Sequence, residues 1–249
     1  MAKPLYGPDL AAIQHTGFSG FSRGASKGLL KILADAGLKP SASRPLRVVD
    51  LGCGDGTWLK ALTGAGYEAV GMDASPSLVK IAKHIAPKAK VQCATLADFD
   101  IPSCDAVTAL GEVLAYLAPG AARARLLGHL FRRIARKLPP GGLLIFDLIM
   151  SGKPMNTRSS HNGPGWQIDV QLSENLRTRI LTRHVAIQRT TKSGAVRKTT
   201  EVHRQRIFGR AEVITALRAA GFTVKTAQAY GAQPMLPRRL AFIARRRTI

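Results

Sequence analysis

The sequence predicts an α/β fold, a mainly parallel sheet with helices on both faces, and three observations predict it. From Leu46 onward, short apolar runs alternate with segments of helical periodicity. Parallel strands cannot be joined by tight turns, so such alternation implies crossover helices covering a sheet. The first apolar run, VVDL, leads straight into the turn GCGDG (52–56), whose glycines accept backbone angles closed to other residues. Ser75 stands before Pro76, a side-chain cap followed by proline in the first turn, which ends the second strand near Asp73.

The elements follow in order. After an irregular start, GASKGLLKILADAGL (24–38) reads as a helix with Leu29, Leu30, Ile32 and Leu33 apolar and Gly37 as its stop. The polar linker KPSASRP leads to strand Leu46–Leu51, a helix from Thr57, strand Glu68–Met72, a helix from Pro76 and strand Val91–Cys93. Strand Asp105–Leu110 precedes the helix AARARLLGHLFRRIARKL, in which Leu126, Leu127, Leu130, Ile134 and Leu138 make one apolar stripe. Arg125, Arg132, Arg133, Arg136 and Lys137 fall on its opposite, solvated face. Strand Gly142–Leu148 is fifth.

From Ser151 to about Gly209 the rhythm changes. Trp166, Ile168, Val170 and Leu172 alternate with polar residues, two more strand-like segments follow, and Thr191–Gly194 turns between them. This predicts a small antiparallel β insertion. Helix RAEVITALRAAGF ends at Gly221, and strands Thr223–Ala229 and Leu240–Ala244 complete the sheet as a C-terminal antiparallel hairpin. The expected organisation is 1–150 as an N-terminal lid helix and ligand-binding core, 151–209 as the insertion, and 210–249 as the rest of the core.

At 249 residues and 45% hydrophobic, the chain can bury one large core, and no apolar run is long enough to cross a bilayer. MAKPLYGPDL lacks the apolar stretch of a secretory signal, so the expected location is cytoplasmic. Cys53, Cys93 and Cys104 have no metal-ligand spacing and are expected as buried apolar residues. No metal is expected. Lys plus Arg number 37 against 15 Asp plus Glu, a formal +22, with no acid between Glu112 and Asp147 or after Glu212. Such an excess either attracts polyanions such as RNA or is a solvated basic face.

In a parallel sheet, ligands bind beyond the carboxyl ends of the strands, where Gly52, Gly54 and Gly56 lie. A dinucleotide fingerprint needs its third glycine where Thr57 stands, and Asp50 before the turn would repel a pyrophosphate. A cationic ligand would be attracted instead.

DLGCGDG followed about twenty residues later by GMDAS resembles the first two motifs of class I S-adenosylmethionine-dependent methyltransferases. The likeness extends over nearly the whole chain. It implies a Rossmann-like seven-stranded sheet and S-adenosyl-L-methionine as cofactor. By that resemblance Asp50 organises the pocket near the methionine amino group, with Gly52, Gly54 and Gly56 lining it, and Asp73 accepts both ribose hydroxyls with Ala74 beside the adenine. Thr95 and Leu96 border the adenine, and Asp98 either meets its exocyclic amine or is a loop carboxylate. Leu110 and Gly111 face the methionine part. HTGFSGFSRGA (15–25) is similar to the lid of small-molecule members, which assigns the methionine carboxylate to Arg23.

Methyl transfer from a sulfonium is an in-line displacement that needs alignment more than acid–base machinery. Catalytic candidates are Glu112 after the fourth strand, Tyr116 one turn on, and His203, which shares one face of EVHRQRIF with Glu201 and Gln205. His203 serves as base, substrate contact or structural residue; His15 and His161 are uninformative. Leu110–Val113 replaces the Asn-Pro-Pro-Tyr of some base-amine methyltransferases, so a small-molecule acceptor leads. RNA methylation is the alternative, and a non-catalytic, cofactor-binding partner of nucleic acid is a third.

Overall fold

The computed structural model describes residues 5–116, 123–191 and 193–248, without the side chains of residues 123–125. Helices α1 (Pro8–Gly17) and α2 (Gly20–Asp35) precede β1 (Arg47–Leu51), α3 (Thr57–Gly64), β2 (Glu68–Asp73), α4 (Pro76–Ile85), β3 (Lys90–Cys93) and β4 (Ala106–Ala109). A 3-10 turn (Val113–Tyr116), α5 (Arg123–Lys137) and β5 (Leu143–Ile149) follow. Then come the strands β6 (Thr157–Gly163), β7 (Trp166–Asn175), β8 (Ile180–Thr190) and β9 (Val196–Arg206). The chain closes with α6 (Arg210–Ala219), β10 (Phe222–Ala227), the short strands β11 (Ala229–Tyr230) and β12 (Gln233–Pro234), and β13 (Arg239–Arg246).

The main sheet has the order β10-β13-β5-β4-β1-β2-β3, parallel except for β13, which runs antiparallel to both β5 and β10. Strand order reverses between β1 and β4, and Asp50, paired with Thr108 in register, sits at that point. The expected fold class, including the C-terminal hairpin, is the one observed.

Alternate strand residues point to opposite faces, and each face finds its own core. Val49, Leu51, Val107, Phe146 and Phe242 pack beneath α5 and α6, with the Phe146 and Phe242 rings stacked 4.9 Å apart. Val48, Ala69, Ala106 and Ile145 pack beneath α2, α3 and α4. All seven residues of β5 are buried, which is why this central strand reads as a nearly unbroken apolar run interrupted only by Asp147. Ser75 caps α4 as predicted, its hydroxyl accepting the Leu78 N–H at 3.1 Å.

Several expectations are corrected. The N-terminal start is helical: Pro8 opens α1 and Asp9 occupies its first turn. Its Leu10 and Ile13 are buried against Ile168, Val185 and Ile187 of the insertion, partners far away in sequence. The insertion has four strands, in the order β6-β7-β8-β9. The additional one, β6, reads TRSSHNG and is exposed along nearly its whole length, so it carries no hydrophobic period; pairing with β7 creates it. The turn at Thr191–Gly194 is present, with Lys192 outside the described residues. Cys93, on the edge strand β3, is exposed, whereas Cys53 and Cys104 are buried. Ala121, Ala122 and the side chain of Arg125 lie outside the described residues.

Candidate active site

A cavity of about 870 Å3 lies beyond the carboxyl ends of β1, β2, β3 and β4, between the main sheet, α1 and the insertion. Asp50, Gly52, Gly54, Asp73, Ala74, Thr95, Leu96, Leu110, Gly111, Glu112 and Tyr116 line it. The sequence therefore places eleven of its fifteen candidates on one surface. The other four are Arg23, Gly56, Asp98 and His203.

One end is built by the glycine turn. Gly52, Gly54 and Gly56 have φ of 71°, 56° and 81°. A Cβ on Gly56 would sit 2.9 Å from the Ala82 Cα, so this glycine lets α3 and α4 pack. A Cβ on Gly54 would meet nothing within 4 Å, which leaves room there for a ligand. Each Asp73 oxygen accepts one main-chain N–H, Gly54 and Ser75 both at 2.9 Å, and keeps a second lone pair free for the cavity. Burial raises the Asp73 pKa, and those amides oppose the shift. Asp50 is 2% exposed, and burial lifts its pKa to about 7 although the Thr108 hydroxyl donates to it at 2.6 Å. Trp58 packs between helix and sheet and donates to the same hydroxyl at 3.1 Å. A buried carboxylate with spare lone pairs attracts a cationic group.

The other end is polar and crowded. Asp147 is wholly buried and accepts the N–H groups of Gly111 and Glu112, both at 2.9 Å. It thereby holds Glu112 at a φ of 64°, a left-handed conformation that costs a non-glycine residue of order 1–3 kcal/mol. Burial, with the Glu112 charge next, pushes the Asp147 pKa up to about 6. The Glu112 carboxylate is ion-paired with Arg239, receives Gln205 Nε2 at 3.0 Å and lies 3.7 Å from Arg183.

His203 is 1% exposed and stands behind Tyr116, with the Tyr116 hydroxyl 3.2 Å from its Nδ1 and Glu201 2.8 Å from its Nε2. An ionised carboxylate only accepts, so Nε2 carries the proton and Nδ1 is free to accept from tyrosine. Burial opposes ionisation of Glu201, yet hydrogen bonds from His203 and from the Gly7 and Tyr6 amides keep its pKa below the usual carboxylate value. Burial holds the Tyr116 hydroxyl protonated, its pKa well above the ordinary phenol value. Glu201, His203 and Gln205 do share one face of β9, with Val202 exposed on the other.

Two candidates point elsewhere. Arg23 is exposed on α2, because Ala25 and Leu29 set the buried face of that helix. Asp98 is exposed and accepts from Thr95 Oγ1 at 2.6 Å, so its carboxylate turns back on its own loop. Conversely, Arg133 is drawn from the solvated face of α5 to the loop after β3, donating to Leu96 and Phe99 carbonyls at 3.0 and 2.6 Å. Leu126 leaves the apolar stripe, 38% exposed at the cavity wall.

Sequence reasoning missed Tyr6, Arg183 and Arg239, all lining the cavity, and the buried Asp147. An acid inside a seven-residue apolar strand is a readable signal of a buried partner. The other three come from remote segments. It also discounted His15, whose Nδ1 lies 2.8 Å from Asp55 and ties α1 to the glycine turn.

Comparisons with known proteins agree with this fold. The chain is 31% identical over 103 residues, 40% of its length, to a ubiquinone biosynthesis O-methyltransferase of Nitrobacter winogradskyi. A protein of the same description from Alkalilimnicola ehrlichii is 32% identical over 110 residues. The matches span 37% and 41% of those relatives. An S-adenosylmethionine-dependent methyltransferase from Clostridium acetobutylicum superposes with a TM-score of 0.77 at 13% identity, over 96% of this chain and 98% of that one. A sugar N-methyltransferase from Streptoalloteichus superposes with a TM-score of 0.75 at 23% identity, over 100% and 98%. At these identities the structures speak for the fold. Residues 21–227, most of the chain and all of the glycine turn, match the family described as a methyltransferase domain, and to that family the chain belongs.

Proposed function

We propose that this enzyme transfers a methyl group from S-adenosylmethionine to a small-molecule acceptor, the two held at opposite ends of the same cavity. One observation carries the reading. Asp73, Asp50 and the open side of Gly54 present a two-oxygen acceptor, a buried anion and bare main chain in sequence along one wall. A nucleoside bearing a cationic amino-acid tail needs that set. Asp73 receives the ribose hydroxyls, Asp50 the ammonium, Thr95, Leu96 and Ala74 border the adenine, and Leu110 and Gly111 flank the methionine chain. A volume of about 870 Å3 falls in the upper range of small-ligand pockets and leaves space for an acceptor.

When bound, the cofactor supplies an electrophilic methyl group with a neutral thioether as leaving group. The chain's own task is to align and to manage a proton. Tyr116 faces the acceptor end and His203 stands behind it, with Glu201 stabilising an imidazolium. The acceptor's proton passes to the Tyr116 oxygen while the Tyr116 proton passes to His203 Nδ1. Glu112, braced by Gln205 from behind, orients Arg239 toward the acceptor. Leu5, Leu126 and Leu236, exposed at 36%, 38% and 55%, line the cavity and give the acceptor an apolar surface.

Calorimetric titration with S-adenosylhomocysteine tests the donor end. Saturable binding is expected, weakened roughly 10- to 100-fold in Asp73→Ala, the cost of hydrogen bonds to a charged partner. Equal affinity in that variant would remove the ribose assignment. Transfer of labelled methyl to fractionated cell extract identifies the acceptor. The formal charge of +22 favours RNA as a second reading, tested by transfer to an RNA fraction. Cytoplasmic action belongs to the same proposal, supported by three unpaired cysteines, a state that a reducing compartment maintains.

A further inference from the structure

We propose that Tyr6 is a positioning residue of the proton relay, its main chain holding the Glu201 carboxylate on His203 and tying that base to the donor wall. The inference rests on the methyl-transfer reading above, in which His203 receives the acceptor's proton through Tyr116.

Tyr6 has a φ of 53°, a left-handed conformation that a bulky residue keeps only where its surroundings impose it. Three contacts impose it here. The Tyr6 N–H donates to Glu201 Oε2 at 2.8 Å, the Gly7 N–H donates to Glu201 Oε1 at 2.8 Å, and the Tyr6 carbonyl accepts the Ser75 hydroxyl at 2.6 Å. The Tyr6 ring meets the His203 ring edge-on, with centroids 5.0 Å apart.

Glu201 depends on those amides. Its side chain is 14% exposed, and among the described residues no Lys or Arg is ion-paired with it; its hydrogen-bond partners are the two amides and His203. Oε2 takes both the Tyr6 N–H and the proton on His203 Nε2, each at 2.8 Å, so a displacement of Tyr6 moves the oxygen that selects the histidine tautomer. That tautomer leaves Nδ1 open to the Tyr116 hydroxyl, 3.2 Å away.

On its other side Tyr6 is bonded to the donor end. Ser75, whose hydroxyl holds the Tyr6 carbonyl, gives its own N–H to Asp73 Oδ1 at 2.9 Å, and Asp73 is the carboxylate assigned above to the ribose. A chain of hydrogen bonds therefore runs from the ribose site through one residue to the base. An in-line displacement needs donor, acceptor and base in one alignment, and a residue bonded at both ends sets it.

The test separates main chain from ring. Glycine accepts a φ of 53° freely and keeps the N–H, alanine keeps the N–H at a steric cost, and proline fixes φ near about −65° and has no N–H. Ring loss is the same in all three. Nitrogen-15 spectra of the His203 ring, assigned by its disappearance in H203Q, are recorded on the full chain at about pH 8, where an ordinary imidazole is neutral. The expected result is the Nε2–H tautomer in the wild type, Y6F and Y6G, and a mixture of tautomers in Y6P. Labelled-methyl transfer to the extract fraction that accepts label from the wild type should fall about 10- to 100-fold in Y6P, part of what a general base contributes, with Y6A between Y6G and Y6P. Because Tyr6 acts through His203, adding Y6P to H203Q should slow transfer less than about threefold further. Equal losses in Y6G, Y6A and Y6P, an unchanged tautomer in Y6P, or a full additional loss in the double variant would each overturn the proposal. Should Y6P lack the cooperative melting transition of the wild type, the order of Y6G and Y6A decides, since a left-handed position ranks glycine first; Y6A equal to or faster than Y6G overturns the proposal. Failure of the wild type to bind S-adenosylhomocysteine, or of every fraction to accept label, would instead sink the methyl-transfer reading, and the spectra report on Tyr6 independently of either.

Discussion

Asp50, proposed above as the partner of the donor's ammonium, would couple folding to ligand affinity. Its pKa in the fold is about 7, raised by burial against the Thr108 hydroxyl, while an unfolded aspartate titrates near ~3.9. The folded state therefore holds this proton more tightly, and the stability it contributes is complete below about pH 4 and lost as pH rises through about 7. The free protein should lose thermal stability between about pH 4 and pH 7, and Asp50→Asn should reduce that decline in melting curves, the remainder belonging to Asp147, whose pKa burial raises to about 6. Donor binding runs the opposite way, since only the ionised form pairs with an ammonium. Affinity for S-adenosylhomocysteine should rise across the same window in the wild type and stay nearly flat in the variant.

Asp147 makes a second case. Replacement by Leu leaves the Gly111 and Glu112 amides buried without acceptors, at ~1–3 kcal/mol each. Denaturant unfolding should show a loss of about 2–6 kcal/mol, summed over the two groups.

At the scale of elements, close approaches matter more than propensities. Gly28 in α2 lies where a Cβ would be 2.4 Å from the Tyr230 carbonyl carbon and 2.5 Å from the Gly231 nitrogen. Helix and turn are both backbone there, so neither yields cheaply. Gly28→Ala, which raises helix propensity by about 1 kcal/mol, should nonetheless destabilise the protein by about 1–3 kcal/mol because the site is overpacked. A gain in melting temperature would contradict the packing. Helix α1 is held by contacts of another kind. The buried Asp9 pairs with Arg189 and Arg197 at 3.2 and 3.0 Å, Ser75 donates to the Tyr6 carbonyl at 2.6 Å, and His15 meets Asp55. Asp9→Ala leaves Arg189 and Arg197 without their carboxylate and should raise amide exchange in α1 and the inner face of β8, with β1 and β4 unchanged.

For the whole molecule the basic excess is the open quantity. Charge alone predicts low-affinity, sequence-independent association with RNA that weakens steeply between 50 and 200 mM salt. A gel shift insensitive to salt would require a specific contact instead. Methyl transfer to the small acceptor should be untouched by competing RNA if the basic face and the cavity are independent, and a kinetic competition assay measures that.

The sequence by itself determined the sheet, the turn and the end of the cavity that the glycine turn builds. Alternating apolar runs, the three glycines and the Ser75–Pro76 cap act within a few residues of where they are read, because strand period, positive φ and helix capping are local constraints. Asp50 and Asp73 inherit their positions from the strand ends, so their convergence follows from parallel topology alone. The opposite, polar end was decided only by tertiary structure. Tyr6, Glu112, Arg183, His203 and Arg239 come from five segments, and nothing in the local pattern around Arg183 separates it from the many solvated arginines. Arg133 and Arg23 make the same point from opposite sides. The loop after β3 claims the one, and the buried face chosen by Ala25 and Leu29 turns the other outward. A charged side chain takes its role from what surrounds it in space, and the dielectric and partners it meets exist only once remote segments have packed.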